Sequence, residues 1–243
     1  MHARDFKTAA QKSLKNNWGI AIGAMVINSV IISAISYLAN GTPAQYWWIS
    51  TLCGMFIAVP ITVGYSWFHL DLFRHSKANI STMFEGFSNN YTRNVATGTL
   101  MSIFVALWSL LFIIPGIIKG LAYSMTFFIL RDRPELSALD AITESRKMME
   151  GKKKELFYLM LSFLGWVIIP YVLTALGVYF TGVGIAGSGI VSLTVLGTVF
   201  LIAGSISSVL INLYVTPYYM TSVAAFYEKY AKLPKEESYS HAG

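Results

Sequence analysis

The chain has 243 residues, 55% hydrophobic and only 12% charged, with a formal net charge of +6. A soluble domain carries about 25% charge, so this composition and a mean hydropathy of +0.55 exclude a water-soluble globular fold. They indicate an integral membrane protein, in which a basic excess reads as a topology signal rather than a nucleic-acid surface.

Residues 5–18 place Phe6, Ala10, Leu14 and Trp18 four apart, with Lys7, Gln11, Lys12 and Lys15 on other faces. This spacing predicts an interfacial amphipathic helix. The first apolar run lies behind this segment, which contains Asp5, so no cleavable signal is expected. A first span follows over 18–38, then an uncharged linker over 40–45. The aromatic belt Tyr46, Trp47 and Trp48 opens a second span that runs to residue 73, interrupted at Pro60 and Gly64. Cys53, the single cysteine, lies in this apolar run and excludes an intramolecular disulfide.

A second amphipathic helix is expected over 79–91, from the spacing of Ile80, Met83, Phe84, Phe87 and Tyr91. Spans three and four, over 94–114 and 117–130, form a hairpin with a tight turn at Pro115-Gly116, because Pro followed by Gly stops helices. One long kinked helix is the alternative. A third amphipathic helix is expected over 134–150, with Pro134 in its first turn and Ser137 with Asp140 as a capping box. Leu139, Ile142 and Met149 form its apolar face; Asp140, Glu144 and Lys147 form its wet one. Span five covers about 156–180, and a glycine-rich linker follows over 181–189. Span six begins near residue 190 and stays apolar past Pro217 to residue 227. That length exceeds one bilayer crossing of ~30 Å, so its end is expected to kink or project inward.

With six spans, every Lys and Arg except Lys119 falls on one side, and the positive-inside rule places both termini in the cytoplasm of a plasma-membrane protein. The fold class is therefore all-α. It is a polytopic six-helix bundle with three cytoplasmic interfacial amphipathic helices, one membrane domain over 1–230 and a polar cytoplasmic tail over 231–243. An internal period recurs: amphipathic helix, span, turn, span, in units of about 1–75, 76–133 and 134–230. Shared ancestry of the units and the ordinary look of any hairpin protein both account for it.

Residues 112–166 carry a further pattern: Ile114-Pro115-Gly116-Ile117, then Tyr123, residues 127–130 and Asp132 with Pro134. Ala141, Ser145, Met149 and Gly151 follow, and then Leu161-Ser162-Phe163-Leu164-Gly165-Trp166. This run resembles a bacterial integral-membrane family without assigned activity, domain-of-unknown-function family 975. The resemblance implies a six-span fold and brings no catalytic or binding residues.

The sequence offers several candidate sites. Gly182, Gly184 and Gly187 match GxGxxG, but no acidic residue follows before Glu228, so turn glycines explain them better than a dinucleotide site. His69, Asp71 and His75 cluster at the inner end of span two, either as a seed for a metal or as interfacial groups pairing with Arg74 or head groups. Lys119, the one charge near the outer half, either holds an anionic group or snorkels to the surface. Asn28 and Asn212 lie within spans, as interhelical hydrogen bonders or ligand contacts. Gly19-x-x-x-Gly23 and Gly116-x-x-x-Gly120 allow close helix packing. Arg146, Lys147, Lys152, Lys153 and Lys154 either orient the chain or attract anionic lipid.

The sequence contains no HExxH, GxSxG, P-loop or Cys/His framework. Catalysis, a cofactor and a resident metal are therefore not expected. The expected role is a non-enzymatic membrane protein that organises or senses lipid, envelope components or a protein partner, with membrane lipid, including anionic lipid, as the first partner. A small permease or exporter for a lipid, peptide or toxin is the alternative, motivated by the repeat and the spans broken at Pro60, Pro115 and Pro217.

Overall fold

The computed structural model describes residues 3–41, 43–76, 78–186 and 191–231. Thr42, Lys77, the glycine-rich segment from residue 187 and the tail beyond Ala231 lie outside the described residues, as do the side chains of Trp47 and Cys53. The helices are α1 (Ala3–Leu14), α2 (Trp18–Gly41), α3 (Trp47–Cys53), α4 (Val59–His75), α5 (Glu85–Ser88), α6 (Tyr91–Leu111), α7 (Ile113–Tyr123), α8 (Thr126–Asp132), α9 (Ala138–Met148), α10 (Lys153–Ala186) and α11 (Val191–Ala231). There is no strand among the described residues. Six stretches are long and apolar enough to cross a membrane: Trp18–Gly41, Gly54–His75, Tyr91–Leu111, Ile113–Asp132, Lys153–Ala186 and Val191–Ala231.

These stretches pair as three hairpins whose charged ends meet. Asn17 Nδ2 donates to the Ser76 carbonyl, joining the start of α2 to the end of α4. Arg93 at the start of α6 donates to the Pro134 carbonyl, just beyond α8. Lys229 in α11 lies 3.8 Å from Glu155 at the start of α10. The cationic ends of the six stretches thus share one end of the bundle, which is the arrangement the sequence predicts.

The core sits at that end, around α4. Between Val59 and Met83 no large hydrophobic side chain is exposed, and Trp67, Phe68, Leu70 and Leu72 are fully buried. Away from this end the helices carry their apolar side chains outward, with Tyr37, Leu110, Ile113 and Val191 each more than two-thirds exposed. A face of that kind matches hydrocarbon rather than water as the surrounding solvent.

The structure revises several boundaries. The second span does not run straight: a π-helical turn at Gly54–Ala58 leads into α4, and Pro60 sits in the first turn of α4, where its missing N–H costs nothing. The 79–91 segment is not one helix. Asn79 caps a 3-10 turn over Ile80–Phe84, α5 follows, and Asn90 turns the chain with φ 54° before α6. Its face is also split, with Met83 buried while Phe84 and Phe87 are exposed. The cause is close packing on α4: a Cβ on Gly64 would stand 1.9 Å from the Met83 carbonyl oxygen, and one on Gly86 would stand 2.1 Å from that of Pro60.

The third and fourth spans do form a hairpin. The turn, however, is Phe112, held extended at φ −158° and ψ 143°, while Pro115 and Gly116 lie inside the first turn of α7. Gly116 lets α7 approach Ser109 of α6. The returning span breaks again at Ser124 and Met125, and Ser145 of α9 mends the break. Its hydroxyl donates to the Ala122 carbonyl at 2.9 Å and accepts from the Met125 N–H at 3.2 Å. Helix α9 starts at Ala138, later than expected, because Ser137 and Asp140 form the cap: Ser137 Oγ accepts from the Asp140 N–H at 3.2 Å. Pro134 stays in the preceding turn, and Leu139 faces outward, 55% exposed. Residues 181–186, expected in a linker, are the last turns of α10. Helix α11 runs unbroken through Pro217, and at ~1.5 Å per residue its 41 residues reach about 60 Å. Its final turns, from Val215 onward, are buried in the charged-end core.

Candidate functional site

The charged end is built from two arginine clamps. Arg74 at the end of α4 makes a bidentate pair with Asp132, at 2.6 and 2.7 Å, and its Nε donates to Glu228 at 2.6 Å. Tyr227 donates to the same Asp132 at 2.8 Å. Arg131, at the end of α8, donates to Asp71 at 2.9 Å and also to Glu85, and its guanidinium lies 5.1 Å from the Trp67 ring centroid. Each arginine therefore holds two carboxylates from different elements, and a planar, forked cation suits that task better than lysine does. The clamps tie α4, α5, α8 and α11 together. Sequence reasoning read Arg131 as a topology signal alone and offered Arg74 as a partner for the nearby His69–Asp71 cluster; the network draws its acids from positions far apart in the chain, and no local spacing reveals it.

Helices α1 and α9 belong to this assembly. Phe6, Ala10 and Leu14 of α1 are at most 3% exposed, and the Phe6 ring lies 5.2 Å from that of Phe226. Lys7 donates to the Ser162 carbonyl and lies 4.4 Å from the Phe163 ring centroid. Burial holds its ammonium below the ordinary lysine pKa. In α9, Ala141, Ile142 and Ser145 are buried. The apolar face of α1 is thus covered by protein, as is that of α9 apart from Leu139.

The sequence candidates do not converge. His69 is fully buried and its Nδ1 meets Thr221 Oγ1 at 2.9 Å, Asp71 belongs to the Arg131 clamp, and His75 is exposed. The expected partner of Asp71, Arg74, is taken by Asp132 and Glu228. Lys119 lies 4.5 Å over the Trp108 ring. Asn212 donates to the Ser208 carbonyl at 2.8 Å and lines a cleft of about 540 Å³ between α2 and α11, with Ser29, Ser33, Ser208 and Thr216. Among the described residues, Asn28 Oδ1, Tyr65 Oη and His69 Nε2 are buried with no hydrogen-bond partner. Of the glycine motif, Gly184 abuts Thr194 across the α10–α11 contact, and Gly187 lies outside the described residues.

Among the basic residues, Lys147 pairs with Glu144 at 3.0 Å within α9. Among the described residues, the ion pairs of this end leave out Arg146, Lys152, Lys153 and Lys154, although Lys152 lies 4.9 Å from the Tyr230 ring centroid.

A family described as "Protein of unknown function (DUF975)" matches the chain twice, over residues 1–119 and 111–233. The chain belongs to this family. The two matches divide it in two, whereas its hydropathy divides it in three. Several residues of the resembling run have structural work here: Asp132 receives Arg74 and Tyr227, Ser145 mends the break after α7, and Gly151 turns the chain at φ 70°. No curated protein and no solved structure matches the chain.

Proposed function

We propose that this is a non-catalytic, multi-pass plasma-membrane protein whose cytoplasmic end, with both termini, engages anionic lipid and so organises or senses the membrane or its envelope partners. The observation that carries the reading is the division of cations at one end. Arg74 and Arg131 are each neutralised by two acids, while Arg146, Lys152, Lys153 and Lys154 stand outside the ion pairs. Each unpaired cation near an anionic surface gains about 1 kcal/mol. The basic interfacial helices work with their apolar faces on the protein and their polar faces toward head groups. The three hairpins are read as three related units.

The test uses the full chain reconstituted in nanodiscs of neutral or partly anionic lipid. Thermal stability rises with anionic lipid, and Lys152→Gln/Lys153→Gln/Lys154→Gln removes most of the rise. Equal stability in both compositions overturns the reading.

A permease is the second reading, favoured by the polar cleft beside Asn212. It requires that cysteines replacing Ser33 and Asn212, in a Cys53→Ala background, be labelled by a water-soluble maleimide from both faces of the membrane. Labelling from neither face rejects it.

A further inference from the structure

A cleft at the charged end lies between the first turn of α1 and the start of α10. It encloses about 900 Å³ and is lined by Ala3, Arg4, Asp5, Gly151, Lys154, Glu155 and Tyr158. That volume lies within the range of small-molecule sites. We propose that this cleft is a specific seat for the phosphate of a phospholipid head group, held between Arg4 and Lys154. The proposal rests on the anionic-lipid reading above and narrows it from a charged surface to one site.

Four charged groups face the cleft, and formally they cancel. They are not equally available. Glu155 accepts from Tyr230 and lies 3.8 Å from Lys229, and Asp5 has a partner of its own. Among the described residues Arg4 and Lys154 take no part in the ion pairs, so the cations retain the field that a ligand meets. Gly151, at φ 70° and with open space beside it, adds no side chain to the mouth. Helix α10 starts there, and the positive end of its dipole favours an anion.

The surroundings argue for a lipid rather than a free ion. Tyr158 lines the cleft and is 63% exposed, and Phe157 and Leu161 continue outward along the apolar surface of α10. A head group seated between Arg4 and Lys154 would lay its acyl chains along this surface. Free phosphate would gain the cations and leave the apolar wall unused.

Native mass spectrometry of the detergent-solubilised full chain tests the site, with an anionic phospholipid titrated in. Wild type retains one phospholipid more tightly than any further copies. Arg4→Gln/Lys154→Gln weakens that first binding about thirtyfold, as expected for losing two charges, and Lys154→Gln alone produces about half the effect on a logarithmic scale. Lys152→Gln/Lys153→Gln, which removes equal charge beside the cleft, leaves the first lipid in place. Equal loss in the two double variants overturns the seat while sparing the broader surface reading. Loss in neither overturns it as well. Displacement of the lipid by millimolar inorganic phosphate makes this an ion site and also overturns the proposal.

Discussion

Gly64 in α4 and Gly184 in α10 both stand where two backbones come too close for a side chain, with the Thr194 main-chain nitrogen 2.7 Å from a Cβ at Gly184, yet the surroundings differ. A methyl on Gly64 would stand 1.9 Å from a main-chain carbonyl oxygen, that of Met83. At Gly184 the nearest atom is the Thr194 hydroxyl, at 2.4 Å, in a row that Gly177, Gly197 and Gly204 continue against Leu201, Thr181 and Thr174. The first belongs to the charged-end core, where interlocked backbone, buried aromatics and arginine clamps act together. The second belongs to the lipid-facing part of the α10–α11 hairpin. There the solvent is as apolar as the side chains, and close contact between small residues is the main source of association. One end of the molecule is held by several forces, the other chiefly by one.

This contrast can be broken at its strongest point. Gly64→Ala forces the backbone of the 3-10 turn away from α4, and no rotamer relieves it. Expected is a loss above about 3 kcal/mol, the upper end for overpacking, seen as aggregation on size-exclusion chromatography. A normally folded variant would show that the core tolerates movement like the arms. Next comes Arg74→Met, which strands Asp132 and Glu228 together. Removing one partner of a buried pair costs about 3–5 kcal/mol, and with a quarter of the Arg74 side chain exposed the lower figure is expected in thermal melts. Gly184→Val sharpens the comparison from the other side. It should cost about 1–2 kcal/mol and loosen α10 from α11, read as a rise in protease cleavage near residue 187, while the core melts as before.

The all-α six-span class was legible because lipid imposes simple rules: six apolar stretches, and charges gathered between alternate ones, are visible along the sequence. The hairpins followed from the same rules. What stayed hidden were relations between distant residues. Phe112 carries no turn signature, and it becomes the turn because Gly116 and Ser109 pack back to back. The 79–91 segment has a helical hydrophobic period, and packing on Gly64 overrides it. Arg131 reads as a topology signal and Arg74 as a partner for nearby Asp71, because the acids they hold, from Asp71 to Glu228, are scattered through the chain. The candidates that were legible, Lys119, Asn28, Asn212 and the His69 cluster, stood out as polar residues in apolar runs. The structure does not bring them together: Lys119 lies over Trp108, Asn212 bonds Ser208, and His69 meets Thr221.

Lys119 sets the smallest prediction. Its ammonium lies 4.5 Å over Trp108, below a hairpin tip at which Leu110, Leu111, Phe112, Ile113 and Ile114 are strongly exposed. A desolvated cation–π pair is worth about 2 kcal/mol, but the same desolvation is a cost that Met does not bear. Lys119→Met is therefore expected to change stability by less than about 1 kcal/mol. Trp108→Leu keeps the cation and removes its partner, so it should cost more than Lys119→Met. That order separates structure from function at this position. If Lys119 serves as a ligand contact, Lys119→Met should leave the melt unchanged and abolish a lipid-dependent shift. If it serves the hairpin alone, both variants keep that shift, and only Trp108→Leu lowers the melt.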